Sequence, residues 1–286
     1  MPMTDTLDAE LAGIDALELP LAPTQSKASR IWGVVWPKVA AIGIALLAWQ
    51  AVVWAELKPS YVLPGPGPVF ARLFEELFTD DLLKAIGVTM SRAVIGFTIA
   101  IVIGGLLGIA VSRNKVLRAA IGSLITGLQT MPSIAWFPLA ILLFKLSESA
   151  ILFVVVIGAA PAIANGFVAG VDHIPPLLLR AGRVLGARGF SAYRHVIVPA
   201  ALPSVVAGLK QGWAFSWRSL MAGELIVIIA NRPSLGQNLQ LARELSDSER
   251  LLATMIAILV IGILIDALAF GTAERRIRRR RGLLAA

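Results

Sequence analysis

The sequence predicts an all-α integral membrane protein with about six transmembrane helices and both termini cytoplasmic. Three observations carry this. Of the 286 residues, 57% are hydrophobic and only 15% are charged, whereas a soluble domain is about a quarter charged. The apolar residues gather into runs that match the roughly 20-residue helix needed to cross a hydrocarbon core. Lys and Arg concentrate in alternate connections between those runs, as they do in the cytoplasmic loops of polytopic proteins. A net charge of +8 placed in loops and tails fits this pattern better than a nucleic-acid surface. With no cysteine, disulfides, thiolate metal sites and Cys nucleophiles are excluded.

In chain order, residues 1–30 read as a cytoplasmic tail. Asp5, Asp8, Glu10, Asp15 and Glu18 stand where a secretory signal would carry positive charge. Residues 31–60 hold a first, peripheral span, Val39–Ala55, bracketed by Trp32, Trp36, Trp49 and Trp54 as interfacial anchors. Pro64, Pro66 and Pro68, interleaved with two glycines, predict an irregular connector over Tyr61–Val69. Phe70, Leu73, Phe74, Leu77 and Phe78 then recur at helical spacing opposite Arg72, Glu75, Glu76 and Asp80, predicting an amphipathic surface helix over Val69–Leu83.

The core, residues 61–282, continues with spans over Ala93–Val111 (extended backward past Arg92), Ala119–Phe144, Ser149–Val171, Ala201–Ala230 and Leu251–Ala273. Ala119–Phe144 is too long for one straight crossing. Pro132 and Pro138 predict a break inside it, because each removes a helical hydrogen bond and crowds the preceding turn. If the break yields two crossings, the count is seven. The inner segments hold Arg113, Lys115, Arg118, Arg180, Arg183, Arg188, Arg194 and the tail run from Arg275 to Arg281. That run reads as a stop-transfer and an anchor to anionic membrane lipid.

No catalytic motif is visible: there is no phosphate loop, no nucleophile elbow and no paired-histidine metal site. Active transport by this chain therefore calls for a separate ATPase. Charges within spans are costly, about 2.5–3.5 kcal/mol each at a helix centre on insertion scales. The fifth span carries Lys210, Arg218 and Glu224, and the sixth carries Asp266. Lys210 and Glu224 lie nearer the ends and read as snorkelling. Arg218, mid-span, reads either as half of a salt bridge, with Glu224 the candidate partner, or as a positive group on the route of an anion. Trp213, Phe215 and Trp217 read as packing or interfacial residues before a substrate cage.

The loop 172–199 carries the strongest signal. Pro175-Pro176 open a new element, and Leu177–Leu185 reads as a short amphipathic helix exposing Arg180 and Arg183. Gly186 and Gly189 then permit a tight turn into a second short helix through Phe190 and Tyr193. This pair forms a knob on the inner surface.

These residues resemble the cytoplasmic signature of binding-protein-dependent ABC importer permeases, which runs Glu-Ala-Ala, three residues, Gly, nine residues, Ile, one residue, Leu-Pro. Ala181, Gly186 and Pro199 match in register, Val196 and Val198 are conservative replacements, and Arg180 and Gly182 depart from it. Leu63-Pro-Gly-Pro-Gly-Pro-Val69, Pro132-Ser-Ile-Ala135 and Ser216-Trp-Arg-Ser-Leu-Met-Ala-Gly-Glu-Leu225 look like the nitrate, sulfonate, taurine and bicarbonate branch. The resemblance implies the type I ABC importer permease fold, a homodimer with a second permease copy, two cytoplasmic ATPase subunits holding ATP and Mg2+, and an extracytoplasmic solute-binding protein. It implies ATPase coupling through Arg180, Ala181, Gly182, Leu185, Gly186, Ala187, Arg188, Gly189, Phe190 and Ser191. It implies a translocation path touching Met131, Pro132, Ser133, Ser216, Trp217, Arg218 and Glu224, with no catalytic residue, bound cofactor or metal on this chain. A stand-alone secondary transporter or channel, and a membrane scaffold or intramembrane enzyme, are the competing readings.

Overall fold

The computed structural model describes residues 27–280, and its regular structure there is entirely helical. Its contacts divide the chain between Lys58 and Pro59 into two compact units. Residues 1–26 of the expected tail lie outside the described residues. The first unit contains helix α1, Lys27–Trp54, with Pro37 inside it. It begins well before Val39, because Lys38 bounds the uncharged run without opposing helix, for which Lys is a good former.

The second unit opens with α2, Pro66–Glu76. This helix corrects two sequence expectations. The proline-rich stretch is irregular only as far as Gly65, since Pro66 enters as a first-turn residue whose missing N–H has no intrahelical partner to lose. The amphipathic helix stops at Glu76 rather than Leu83, because Thr79 caps the next helix. Its Oγ1 accepts from the Leu82 N–H, and Asp80 and Asp81 occupy the first turn.

The remaining elements are α3, Asp80–Arg113; α4, Lys115–Thr130; α5, Phe137–Phe144; α6, Glu148–Asp172; α7, Pro176–Val184; α8, Gly189–Ala192; α9, Val198–Ile226; α10, Leu235–Glu244; α11, Ser248–Ile265; and α12, Gly271–Arg280. Asn114 separates α3 from α4, with its Oδ1 accepting from the Val116 and Leu117 N–H groups. The expected break is present: after Met131 and Pro132 a single 3-10 turn leads into α5, and the chain direction changes by 105°. Pro138 lies in the first turn of α5, where proline is tolerated. Among the described residues, five helices have the length and composition to cross a membrane, or six with this bent pair taken as one span.

Helix α6 is the centre of the second unit, packed between α3 and α9. Lipid gives apolar side chains no reason to leave it, so close helix contact relies on small residues. A Cβ added to Gly166 of α6 would lie 2.5 Å from the Gly208 Cα of α9, so the two backbones meet there. Beyond that crossing, toward the outer ends of the helices, Phe137, Ile151, Val154 and Leu220 fill the core.

Candidate functional site

The inner loop folds as two short helices around a glycine. Helix α7 ends in a Schellman motif: the Ala187 N–H bonds the Gly182 carbonyl at 2.9 Å and the Gly186 N–H bonds the Arg183 carbonyl at 3.1 Å. That closure needs a left-handed residue, and Gly186 has φ +83°; Gly189 adds another at φ +53°. The turn leaves Leu185 85% and Phe190 79% exposed, beside Val184, Arg180, Arg183 and Arg188. Two large apolar side chains held in solvent by a rigid turn, ringed with arginine, form a surface built to be covered. Gly182 faces Val196 of the π-turn that follows, whose Cγ2 would lie 2.8 Å from an added Cβ, so alanine at this position would displace the Val196 side chain.

The knob is joined directly to the membrane. Helix α8 runs through a π-turn, Tyr193–Ile197, into α9, giving a helical run from Gly189 to Ile226. The Arg113 guanidinium at the inner end of α3 sits 4.6 Å from the centre of the Tyr193 ring. Arg118 and Asp172, 2.8 Å apart, tie the inner ends of α4 and α6.

Farther along α9, Arg218 borders a cleft of about 340 Å3. Met131, Pro132, Ser133, Gly158 and Phe215 share it, so the broken span and the mid-span arginine come together. The guanidinium lies 5.3 Å from the Phe215 ring centre. Among the described residues, Arg218 has no carboxylate at salt-bridge distance. Trp217 stacks on Trp213, with ring centres 6.2 Å apart, and lines a second groove with Arg218 and Asp266. Ser216 differs from expectation. Two residues from Arg218 is about 200° around the helix, and its hydroxyl is buried in the core rather than turned to the cleft.

Glu224 departs furthest from expectation. It neither snorkels nor pairs with Arg218. Its carboxylate is 0% exposed and accepts from Arg92 Nη1 at 2.9 Å, Thr89 Oγ1 at 2.9 Å and the Gly236 N–H at 3.1 Å. Arg92, 4% exposed, also holds both oxygens of Glu148 at 2.7 Å. Glu148 in turn accepts from Arg232 at 3.2 Å. Lys210, partly exposed, has Asp266 at 3.3 Å, also partly exposed.

Residues 96–279, well over half of the chain, match the model of the family described as the binding-protein-dependent transport system inner membrane component. The chain belongs to this family. A taurine transport system permease protein of Escherichia coli is 26% identical over 244 residues, 84% of this chain and 87% of the relative. A nitrate import permease protein of Synechocystis is 27% identical over 241 residues, 82% and 86% respectively. A riboflavin transport system permease protein of Chloroflexus aurantiacus is 28% identical over 265 residues, 91% and 97%. The fold is similar to that of the MetNI methionine ABC transporter in an inward-facing form, with a TM-score of 0.59 at 19% identity, covering 68% of this chain and 95% of that one.

As a member of the family, the chain is a multi-pass permease subunit of an ABC transporter in the cytoplasmic membrane, working with an ATPase and a solute-binding protein. Sequence reading anticipated the two short helices around Gly186 and grouped Met131, Pro132 and Ser133 with Arg218, which line one cleft, and it missed Arg92, Glu148 and Thr89. Arg92 borders the apolar run of α3 at Ala93, and its signal was a pairing one: a buried positive charge calls for a buried negative one, and Glu224 was the available complement.

Proposed function

We propose that two copies of this chain enclose the path of an ATP-driven importer for a small anion, of sulfonate or taurine type before nitrate or bicarbonate. One observation carries the solute class: Arg218 stands mid-span, uncompensated by any described carboxylate, on a cleft at the broken span. Placing arginine against lipid there costs about 2.5–3.5 kcal/mol or more. A water-filled route, closed by the second copy, removes that cost and offers an anion an attractive group in a dry surround. Met131, Pro132 and Ser133 shape the same wall, and Trp217 flanks Arg218 from outside the cleft; Glu224, buried against Arg92, is not part of the path.

The knob supplies the drive. Leu185 and Phe190 seat in a groove of each ATPase subunit, with Arg180, Ala181, Gly182, Gly186, Ala187, Arg188, Gly189 and Ser191 forming the rest of the contact. Binding of ATP with Mg2+ to the ATPase pair draws the two knobs together and turns the α9 rods, opening the route outward; hydrolysis resets it. ATP thus shifts a two-state population through its differential affinity for the closed ATPase pair. The chain itself performs no catalysis.

The test of the solute class is uptake into vesicles carrying the full transporter and its binding protein. Arg218→Ala abolishes anion uptake and Arg218→Lys retains part of it, with surface expression held equal. Uptake by both variants at the wild-type rate, or faster uptake of a neutral solute such as riboflavin than of any anion, rejects the assignment.

A further inference from the structure

The buried charge network serves none of the roles assigned above, yet it joins the outer surface to the helix that carries Arg218. Both Glu224 oxygens are spent: one on Arg92, the other on Thr89 and the Gly236 N–H. The same Thr89 hydroxyl accepts from the Leu235 N–H at 3.0 Å, and Ser234 Oγ accepts from the Gln237 N–H at 3.3 Å. Two of the first-turn amides of α10, those of Leu235 and Gly236, are thus bound by Thr89 of α3 and Glu224 of α9, while its own cap Ser234 binds the third, and a carboxylate stands at the positive end of the helix. A side chain at position 236 would collide with the Glu224 Cβ, so the approach depends on Gly236. On its other edge Arg92 grips Glu148, which is 31% exposed and meets Arg232, itself 60% exposed at the surface. A continuous line of charge-assisted hydrogen bonds therefore runs from surface to core. It ends six residues from Arg218, about 9 Å along the helix at 1.5 Å per residue.

We propose that Arg92 and Glu224 are positioning residues for transport. They fasten the outer helix α10 and the Glu148–Arg232 surface to α9, so that engagement of the outer face by the solute-binding protein displaces Arg218 and the path as one body. The proposal rests on the importer reading above. Its physical basis is that a close-packed buried network with its hydrogen bonds satisfied moves as one piece, whereas a solvated loop absorbs displacement.

The test uses the assembled transporter in liposomes with the soluble solute-binding protein added. Glu224→Gln keeps the shape but sets an amide NH2 against the Thr89 and Gly236 donors. The expected result is normal assembly, basal ATPase rate and half-stimulating binding-protein concentration. Maximal stimulation and uptake fall about 5- to 150-fold, the span of a typical coupling between sites. Arg232→Gln, at the exposed end, gives a smaller loss of the same kind and serves where Glu224→Gln fails to assemble. A parallel fall of basal and stimulated rates shows a merely structural role and overturns the proposal. So does full stimulation in Arg232→Gln together with either full stimulation or failed assembly in Glu224→Gln. A weakened half-stimulating concentration with an intact maximum makes Arg232 a docking contact and also overturns it. If the wild type shows no stimulation by any binding protein, the importer reading fails instead.

Discussion

Replacing Arg92 with methionine isolates the cost of the buried charge. The substitution leaves the Glu224 carboxylate 0% exposed and without its cation, while Thr89 and the Gly236 N–H still donate. Stranding one partner of a buried pair costs about 3–5 kcal/mol. Glu148 adds at most about 1 kcal/mol, since it is partly exposed and keeps Arg232. Removing the second charge as well, in Arg92→Met with Glu224→Leu, restores an apolar core and leaves chiefly the Gly236 N–H unsatisfied, at about 1–3 kcal/mol. The double variant is therefore more stable than Arg92→Met alone by about 2 kcal/mol, although it carries one more substitution. Equilibrium unfolding of the purified permease in mixed micelles measures both. If the costs of the two substitutions simply add, Arg92 and Glu224 are not coupled, and stranding a buried charge is not what destabilises Arg92→Met.

Three further outcomes follow from the same geometry. Leu185→Asp puts a charge on the apolar tip of the knob; ATPase binding to the permease falls by about 2–4 kcal/mol, the scale of an interface hot spot, and wild-type affinity in a pull-down titration would remove the knob from the contact. Gly208→Leu forces α6 and α9 apart at their closest crossing and costs about 1–3 kcal/mol or more of stability, seen as a lower unfolding midpoint; an unchanged midpoint would mean that the helices do not meet there. Gly158→Ala places a methyl group 2.5 Å from the Ser219 hydroxyl and 3.6 Å from Ser133 Cβ, so anion uptake drops while ATPase binding holds. Normal uptake in that variant would place the route elsewhere.

The features readable in the sequence were those with local causes. Pro132 and Pro138 located the turn at the broken span because proline acts on its own neighbours. Gly186 located the end of α7 because a left-handed cap needs a residue without Cβ. Arg218 stood out as a charge deep within an apolar run. Arg92 did not, because it borders the apolar run that starts at Ala93, and its partner Glu224 lies 132 residues away. No spacing rule connects residues so distant; only the pairing requirement of buried charge does. The division at Thr79 was missed for a different reason. The apolar pattern from Phe70 to Phe78 runs up to it, while the capping signal of Thr79 followed by Asp80 and Asp81 marks a new start.

The central proposal is that this permease is a gate without its own energy source, moved through the knob at Gly186. Solute accumulation in proteoliposomes tests this most directly, comparing the chain alone, the chain with its ATPase, and the pair with the binding protein and ATP. Uphill accumulation is expected in the last arm only, together with its loss in Leu185→Asp. Accumulation against a gradient by the chain alone, or full accumulation by the Leu185→Asp transporter, contradicts it.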